Sequence, residues 1–241
     1  MVDRIRGVFF DLDGTLIRDG AVDAAEQTIG ELVVRHPGID VDRLRQANAD
    51  VWSACWRDQG QQWMRGQLED DALVRGVWRR TLERTQTEGG GVVRPLLEEA
   101  VQLHLDAERR TFTLFDETRE VLLELRRRGV QVGLITNGPS ASQRDKLRAV
   151  GIAGLFDLVI ASGDTGVLKP NGAIFRQALQ RAELAATEAL HVGDNFDADV
   201  VGAADAGLTA LWVNRDGAPV PRPGVPHLAS PSLDVVLELV A

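Results

Sequence analysis

The chain has 241 residues, 44% of them hydrophobic and 26% charged, which is ordinary globular usage and enough for one α/β domain with a smaller companion. A formal net charge of -9 disfavours nucleic acid as a partner, because duplex binding calls for a basic face. The single cysteine, Cys55, excludes an intrachain disulfide and any Cys-rich zinc site. The first apolar run is too short for a secretory segment or a membrane span, so the expectation is a cytoplasmic protein with no membrane association.

That first run, Gly7–Phe10, is a short continuous apolar stretch, the pattern of a strand covered on both faces. No similar run follows until Val130. The intervening sequence reads as helices over Val22–Val34, Val41–Arg57, Asp70–Arg84 and Leu96–Glu108, an all-helical insertion holding four of the five tryptophans. Trp52 and Trp56, at helical spacing, are expected in its core. Glu88–Gly91 is glycine-rich but lacks a flanking strand and helix, and is expected to be a plain loop. Cys55 has no activating partner evident in the sequence and is expected to be packing.

From Glu117 onward helix and strand alternate. Glu117–Arg128, Ser140–Val150, Ala173–Leu184 and Asp197–Ala206 are helix-like, and several of them stop at a glycine. Arg126–Arg128 is expected to be a solvated helix end. Val130–Ile135, Leu158–Ala161, Ala189–Val192 and Thr209–Val213 are strand-like. Gly217–Pro226 is expected to be irregular, with a last helix over Ser232–Val240. The fold class is therefore α/β, a doubly wound parallel sheet. The expected domains are a core of residues 1–17 and 114–241 and a helical domain of residues 18–113.

Open α/β sheets bind ligands beyond the carboxyl ends of their strands. Asp11-Leu12-Asp13-Gly14-Thr15 follows the first strand, and Thr136-Asn137-Gly138 the second. Ser162-Gly163-Asp164 and then Lys169-Pro170 follow the third, and Gly193-Asp194, with Asp197 and Asp199, the fourth. Carboxylates, a hydroxyl and a lysine thus gather at one sheet edge. One carboxylate can attack phosphorus and its neighbour can protonate a leaving oxygen. Crowded acids need a cation, and Mg²⁺ suits an oxygen donor set drawn from Asp11 and Asp194. Thr136, backbone N–H groups near Asn137 and the Lys169 ammonium can stabilise a transferring phosphoryl group. Lys146 and Lys169 are the only lysines in an arginine-rich chain, which draws attention to Lys169 in its strand-end loop. His191 belongs to the strand before the last motif and is not assigned a catalytic part.

VFFDLDGTL, LITNG, KP within DTGVLKPNGAIF, and HVGDNFDADVVGAADAGL resemble, in order, the four motifs of the haloacid dehalogenase-like (HAD-like) hydrolases. The resemblance implies a Rossmann-like core with Asp11 as nucleophile and Asp13 as general acid/base. It implies Thr136 in the second motif, Lys169 in the third, and Asp194 with Asp199 in the fourth. It further implies Mg²⁺ held by the Asp11 side chain, the Asp13 backbone carbonyl and the Asp194 side chain. Asp199 would assist through metal-bound water or by orienting Lys169. Asp197 does not match the motif and is a candidate helix N-cap. The insertion resembles a C1-type helical cap that closes over the site and selects substrate.

The implied activity is Mg²⁺-dependent hydrolysis of a small phosphorylated metabolite, such as a nucleoside monophosphate, phosphoglycolate or a sugar phosphate. A 2-haloacid dehalogenase is an alternative on the same core, but such enzymes need no proton donor two residues after the nucleophile. A phosphomutase shares the acid pair and differs only in the fate of the phosphoryl group. A non-catalytic phospho-acceptor module would lack both the helical insertion and the second Asp. The sequence does not specify the substrate or the oligomeric state.

Overall fold

Gly7–Phe10 forms strand β1, every residue of it buried. This computed structural model describes residues 4–18, 20–85 and 94–240. The chain falls into two compact units, Met1–Arg18 with Thr113–Ala241 and Asp19–Phe112. The glycine-rich segment Glu88–Gly91 lies outside the described residues.

After β1 the chain enters the helical unit. Its helices are α1 (Ala21–Arg35), α2 (Val41–Met64), α3 (Asp70–Thr85) and α4 (Arg94–Thr111). The Asp40 side chain caps α2 by accepting from the Arg43 N–H at 3.1 Å. Ile29, Leu32, Leu44, Val74, Trp78, Leu82, Ala100 and Val101 form one core, and Val51, Cys55, Leu73 and Val77 a second. Trp52 packs against both cores. Trp56 corrects the expectation, for it is 48% exposed and lies against Trp63, with ring centroids 5.5 Å apart. The α2 helix continues past Arg57 even though Gly60 disfavours helix, and a Cβ at Gly60 would lie 3.1 Å from the Trp56 ring. Cys55 is buried in the second core with the Arg80 guanidinium 3.3 Å from its sulfur.

The α/β unit resumes with α5 (Thr118–Arg127), β2 (Gln131–Thr136), α6 (Ser140–Ala149), β3 (Leu158–Ala161), the single turn α7 (Ser162–Thr165), α8 (Gly172–Ala182) and β4 (Ala189–Gly193). A π-helical turn, Phe196–Val201, then leads into α9 (Gly202–Asp205), β5 (Thr209–Val213), β6 (Leu228–Ser230) and α10 (Val236–Leu239). The helix expected over Asp197–Ala206 is therefore split between two helical geometries, and the last helix is confined to four residues. The strand β6 falls in a stretch with no apolar run and has no counterpart among the expected strands.

All strands pair in parallel in the order β3-β2-β1-β4-β5-β6. Side chains alternate between two cores, as the strand period dictates. Val8 and Phe10 of β1, Val132 and Leu134 of β2, and Leu190 and Val192 of β4 face Val121, Leu122 and Leu125 of α5 and Leu147 of α6. On the opposite face, Phe9, Ile135 and Ala189 meet Ile174, Phe175 and Ala178 of α8. Each such large side chain contributes about 1.5–3 kcal/mol on burial, so two filled faces hold the sheet between its helices. Chain order runs outward from β1 in both directions, through β2 and β3 on one side and β4, β5 and β6 on the other. That reversal opens a crevice at the carboxyl ends of β1, β2 and β4.

The Arg126–Arg128 helix end is partly exposed but well paired. Arg127 and Arg128 bind Glu124, and Arg126 binds Asp157 at 2.8 Å.

Candidate active site

Asp11 is the first residue past β1, and its backbone N–H donates to the Val192 carbonyl of β4 at 2.9 Å. Its side chain is thereby fixed at the switch point. Lys169, in the segment before α8, reaches the same point with an almost fully buried side chain. Its Nζ donates to Asp11 Oδ1 at 2.6 Å and to Asp199 Oδ1 at 2.6 Å. Asp199 also meets His191 Nε2 at 2.9 Å and accepts from the Asn195 N–H at 3.1 Å. Four buried ionisable groups from four segments thus form one bonded cluster.

The charges follow from this arrangement. Burial raises the Asp11 carboxyl well above the usual range, opposed by Lys169 and reinforced by the charges of Asp199 and Asp194. Burial works against the Lys169 ammonium, but Asp11 and Asp199 overcome it and hold the group charged. For Asp199, burial is likewise outweighed by Lys169 and His191, and its carboxyl falls below the usual range. Burial lowers His191, leaving a neutral ring whose edge meets Phe175 at 5.0 Å between centroids.

Asp194 follows β4. Its Oδ1 accepts from the Thr15 hydroxyl at 3.1 Å, and its backbone carbonyl accepts from Trp212 Nε1 at 2.8 Å. Burial and the Asp199 charge raise its carboxyl. Gly14 is required beside it, since φ is +80° and a Cβ would collide with the Asp194 carboxylate. Gly193 is required for a similar reason, a Cβ there colliding with Asp199. Carboxylate oxygens of Asp11, Asp194 and Asp199 all lie within 4.8 Å of one another. Three hard oxygen donors facing one lysine leave uncompensated negative charge, a donor set that fits a divalent cation such as Mg²⁺.

The other sequence-predicted residues take different places. Asp13 points its carboxylate at Lys146 of α6, with both oxygens bound at 2.8 and 2.9 Å. Sequence reasoning does not find Lys146; its only signal is that it is one of two lysines in the chain. Thr136 is buried at the end of β2, paired in register with Ala161. The Asn137 side chain braces the Lys169 backbone at both groups, accepting from its N–H at 2.9 Å and donating to its carbonyl at 3.1 Å. Asp197 is not the helix cap; Asn195 accepts from the Ala198 N–H instead, and Asp197 pairs with Arg222 at 2.9 Å.

A family model described as haloacid dehalogenase-like hydrolase matches residues 5–207. The chain belongs to this family. A phosphoserine phosphatase of Thermus thermophilus is 40% identical over 168 residues, 70% of this chain and 65% of that relative, so the match spans a little under two thirds of its length. A human N-acylneuraminate-9-phosphatase is 29% identical, with 100% of this chain and 94% of the relative covered. Among solved structures, a 2-haloacid dehalogenase from Pseudomonas syringae pv. Tomato DC3000 superposes with a TM-score of 0.70 at 27% identity, covering 98% of each chain. Both of these sequence relatives are phosphatases, and their matches run across the HAD-like core. No described helix is long and apolar enough to cross a membrane.

Proposed function

We propose that this chain hydrolyses small-molecule phosphomonoesters in the presence of Mg²⁺, by way of an aspartyl phosphate on Asp11. The observation that carries the reading is the bonded Asp11–Lys169–Asp199 cluster, with Asp194 beside it, at the sheet's switch point. Asp11 Oδ attacks phosphorus while Asp13 protonates the departing alkoxide. Asp13 then takes a proton from water, whose oxygen displaces the Asp11 carboxylate from phosphorus. The buried Lys169 ammonium and the Thr136 hydroxyl steady the phosphoryl oxygens, joined by backbone N–H groups near Asn137. The Asn137 side chain serves by holding Lys169 in place, and Asp199 orients the same ammonium from the other side.

The Asp11 and Asp194 side chains and the Asp13 carbonyl would hold Mg²⁺, with Asp199 close by. When bound, the ion supplies charge neutralisation for the crowded acids and the phosphoryl group. Selection among phosphomonoesters is assigned to the helical unit inserted after β1. Asp13 favours phosphate ester over halide, since an alkoxide leaving group needs a proton and a halide does not.

The test is a panel of O-phosphoserine, N-acylneuraminate 9-phosphate, phosphoglycolate, sugar phosphates and nucleoside monophosphates, assayed with Mg²⁺ and with EDTA. Phosphate release that stops in EDTA and returns with Mg²⁺ is expected. Release undiminished in EDTA would remove the metal. Halide release from 2-chloropropionate without phosphatase activity would overturn the reaction, and transfer of phosphate to a second sugar hydroxyl would make it a mutase.

A further inference from the structure

Each of the chain's two lysines binds one carboxylate of Asp11-Leu12-Asp13. Lys169 belongs to the cluster already described. Lys146 lies outside it, on α6, and its contact is two-pronged: Nζ donates to Asp13 Oδ1 at 2.8 Å and to Oδ2 at 2.9 Å. The Lys146 side chain is only 14% exposed, against 39% for Asp13, so the lysine is the anchored partner.

Its helix explains the anchoring. Leu147, the next residue, packs in the core with Val132 and Leu134. Gln143, one turn earlier and on the same side as Lys146, is buried and donates to the Asn137 carbonyl at 3.1 Å. One face of α6 therefore ties the loop after β2 to the carboxylate after β1. The ammonium, a compact charge with rotatable donors, sits between the two oxygens of this one carboxylate and holds it by charge and two hydrogen bonds, a contact that a guanidinium can also make.

We propose that Lys146 is a positioning residue for Asp13 in the second half of the reaction, the hydrolysis of the aspartyl phosphate; the inference rests on the phosphatase reading above. Once the alcohol has left with the Asp13 proton, Asp13 is an anion, the form a lysine binds. Held by Lys146, its carboxylate is aimed at the attacking water. The water O–H bond breaks and its proton passes to Asp13. The water oxygen forms a bond to phosphorus, and the phosphorus–oxygen bond to Asp11 breaks, returning Asp11 as a carboxylate and releasing phosphate.

The experiment compares wild type, Lys146→Met, Lys146→Arg, Asp13→Asn and the Lys146→Met/Asp13→Asn double variant, using acid-quenched ³²P-labelled substrate. Because Asp13 itself stays and only its aim is lost, Lys146→Met should lower kcat by about 10–100-fold, no more than the lower edge of the roughly 10²–10⁴-fold that a general base contributes. Because kcat/KM reports only steps up to alcohol release, it should change little, so KM falls with kcat. Phosphoenzyme should accumulate, Lys146→Arg should recover most of kcat, and Lys146→Met should add less than about twofold in the Asp13→Asn background. A Lys146→Met protein with unchanged kcat overturns the proposal. So does one whose kcat and kcat/KM fall together without phosphoenzyme build-up. Should Lys146→Met not fold, Lys146→Gln takes its place under the same criteria. Absence of Asp11-bound label from wild type and every variant, with turnover intact, instead refutes the aspartyl-phosphate reading.

Discussion

The two units differ in the charge they bury more than in how they satisfy it: the helical unit encloses the bonded neutral pair Asn48–Thr81 at 3.3 Å, and His191 Nδ1 of the α/β unit is enclosed without a partner. At the strand ends of the α/β unit, Asp11, Lys169, His191 and Asp199 are enclosed, and each is bonded to another of the four. In the helical unit, ring nitrogens of Trp52, Trp78 and His104 are enclosed without a hydrogen-bond partner, the rings packed 5.5 and 5.9 Å apart around His104. Its arginine–carboxylate pairs, such as Arg75–Glu98 at 2.7 Å, stand at the surface, while the buried His104 lies 3.6 Å from Glu108. Well-packed apolar residues would stabilise a core at least as well as buried ions do. A paired, desolvated cluster is what the proposed chemistry requires, whereas the enclosed ring nitrogens of the helical unit sit among packed aromatic rings.

Removing one cation from each region separates them most strongly. Lys169→Met, measured by urea unfolding in chelator, should cost about 3–5 kcal/mol, because two buried carboxylates lose their shared partner. Arg75→Met should cost no more than about 1 kcal/mol, the ordinary worth of an exposed pair. Equal losses would erase the distinction between the units.

The histidines sharpen it further. His191→Phe strips a partner from Asp199 and should destabilise by about 1–3 kcal/mol. His104→Phe replaces a fully buried ring whose nearest charge, Glu108, is 3.6 Å away, and should lie within about 1 kcal/mol of wild type. A larger loss at His104 than at His191 would reverse the reading of the two interiors.

The smallest effect asks whether burial, rather than unit, decides the strength of a pair. Glu124, on the surface of the α/β unit, is lowered from 4.5 to about 2 by hydrogen bonds from Arg127 and then Arg128. A lowered folded-state pKa stabilises above the unfolded value and loses that contribution as pH falls through the folded one. Wild type should therefore melt slightly above Glu124→Gln at neutral pH, the gap closing between about pH 4.5 and about pH 2. A gap that widens on acidification would contradict the pairing.

The sheet is largely legible in the sequence, since five of its strands are continuous apolar runs and the folded strands coincide with them to within a residue or two. The strand β6 is not, because Leu-Ala-Ser carries no periodicity and exists only through the backbone that β5 offers at the sheet edge. The split helix after Asp194 is also hidden, as its start is set by the Asn195 cap rather than by Asp197. Asp11, Asp194, Asp199 and Lys169 can be found because each follows, or shortly trails, a strand. The Asp13–Lys146 pair cannot, since its members are 133 positions apart and a lysine on a polar helix gives no hint of its partner.

The central claim is that phosphate passes through Asp11. Acid quenching during turnover of ³²P-labelled substrate, followed by digestion and mass spectrometry, measures this directly. Label should appear on the peptide containing Asp11. It should vanish in Asp11→Asn, with turnover reduced at least about 10⁴-fold, the scale of a lost nucleophile. Near-native turnover by Asp11→Asn, or label on another residue, would contradict the account.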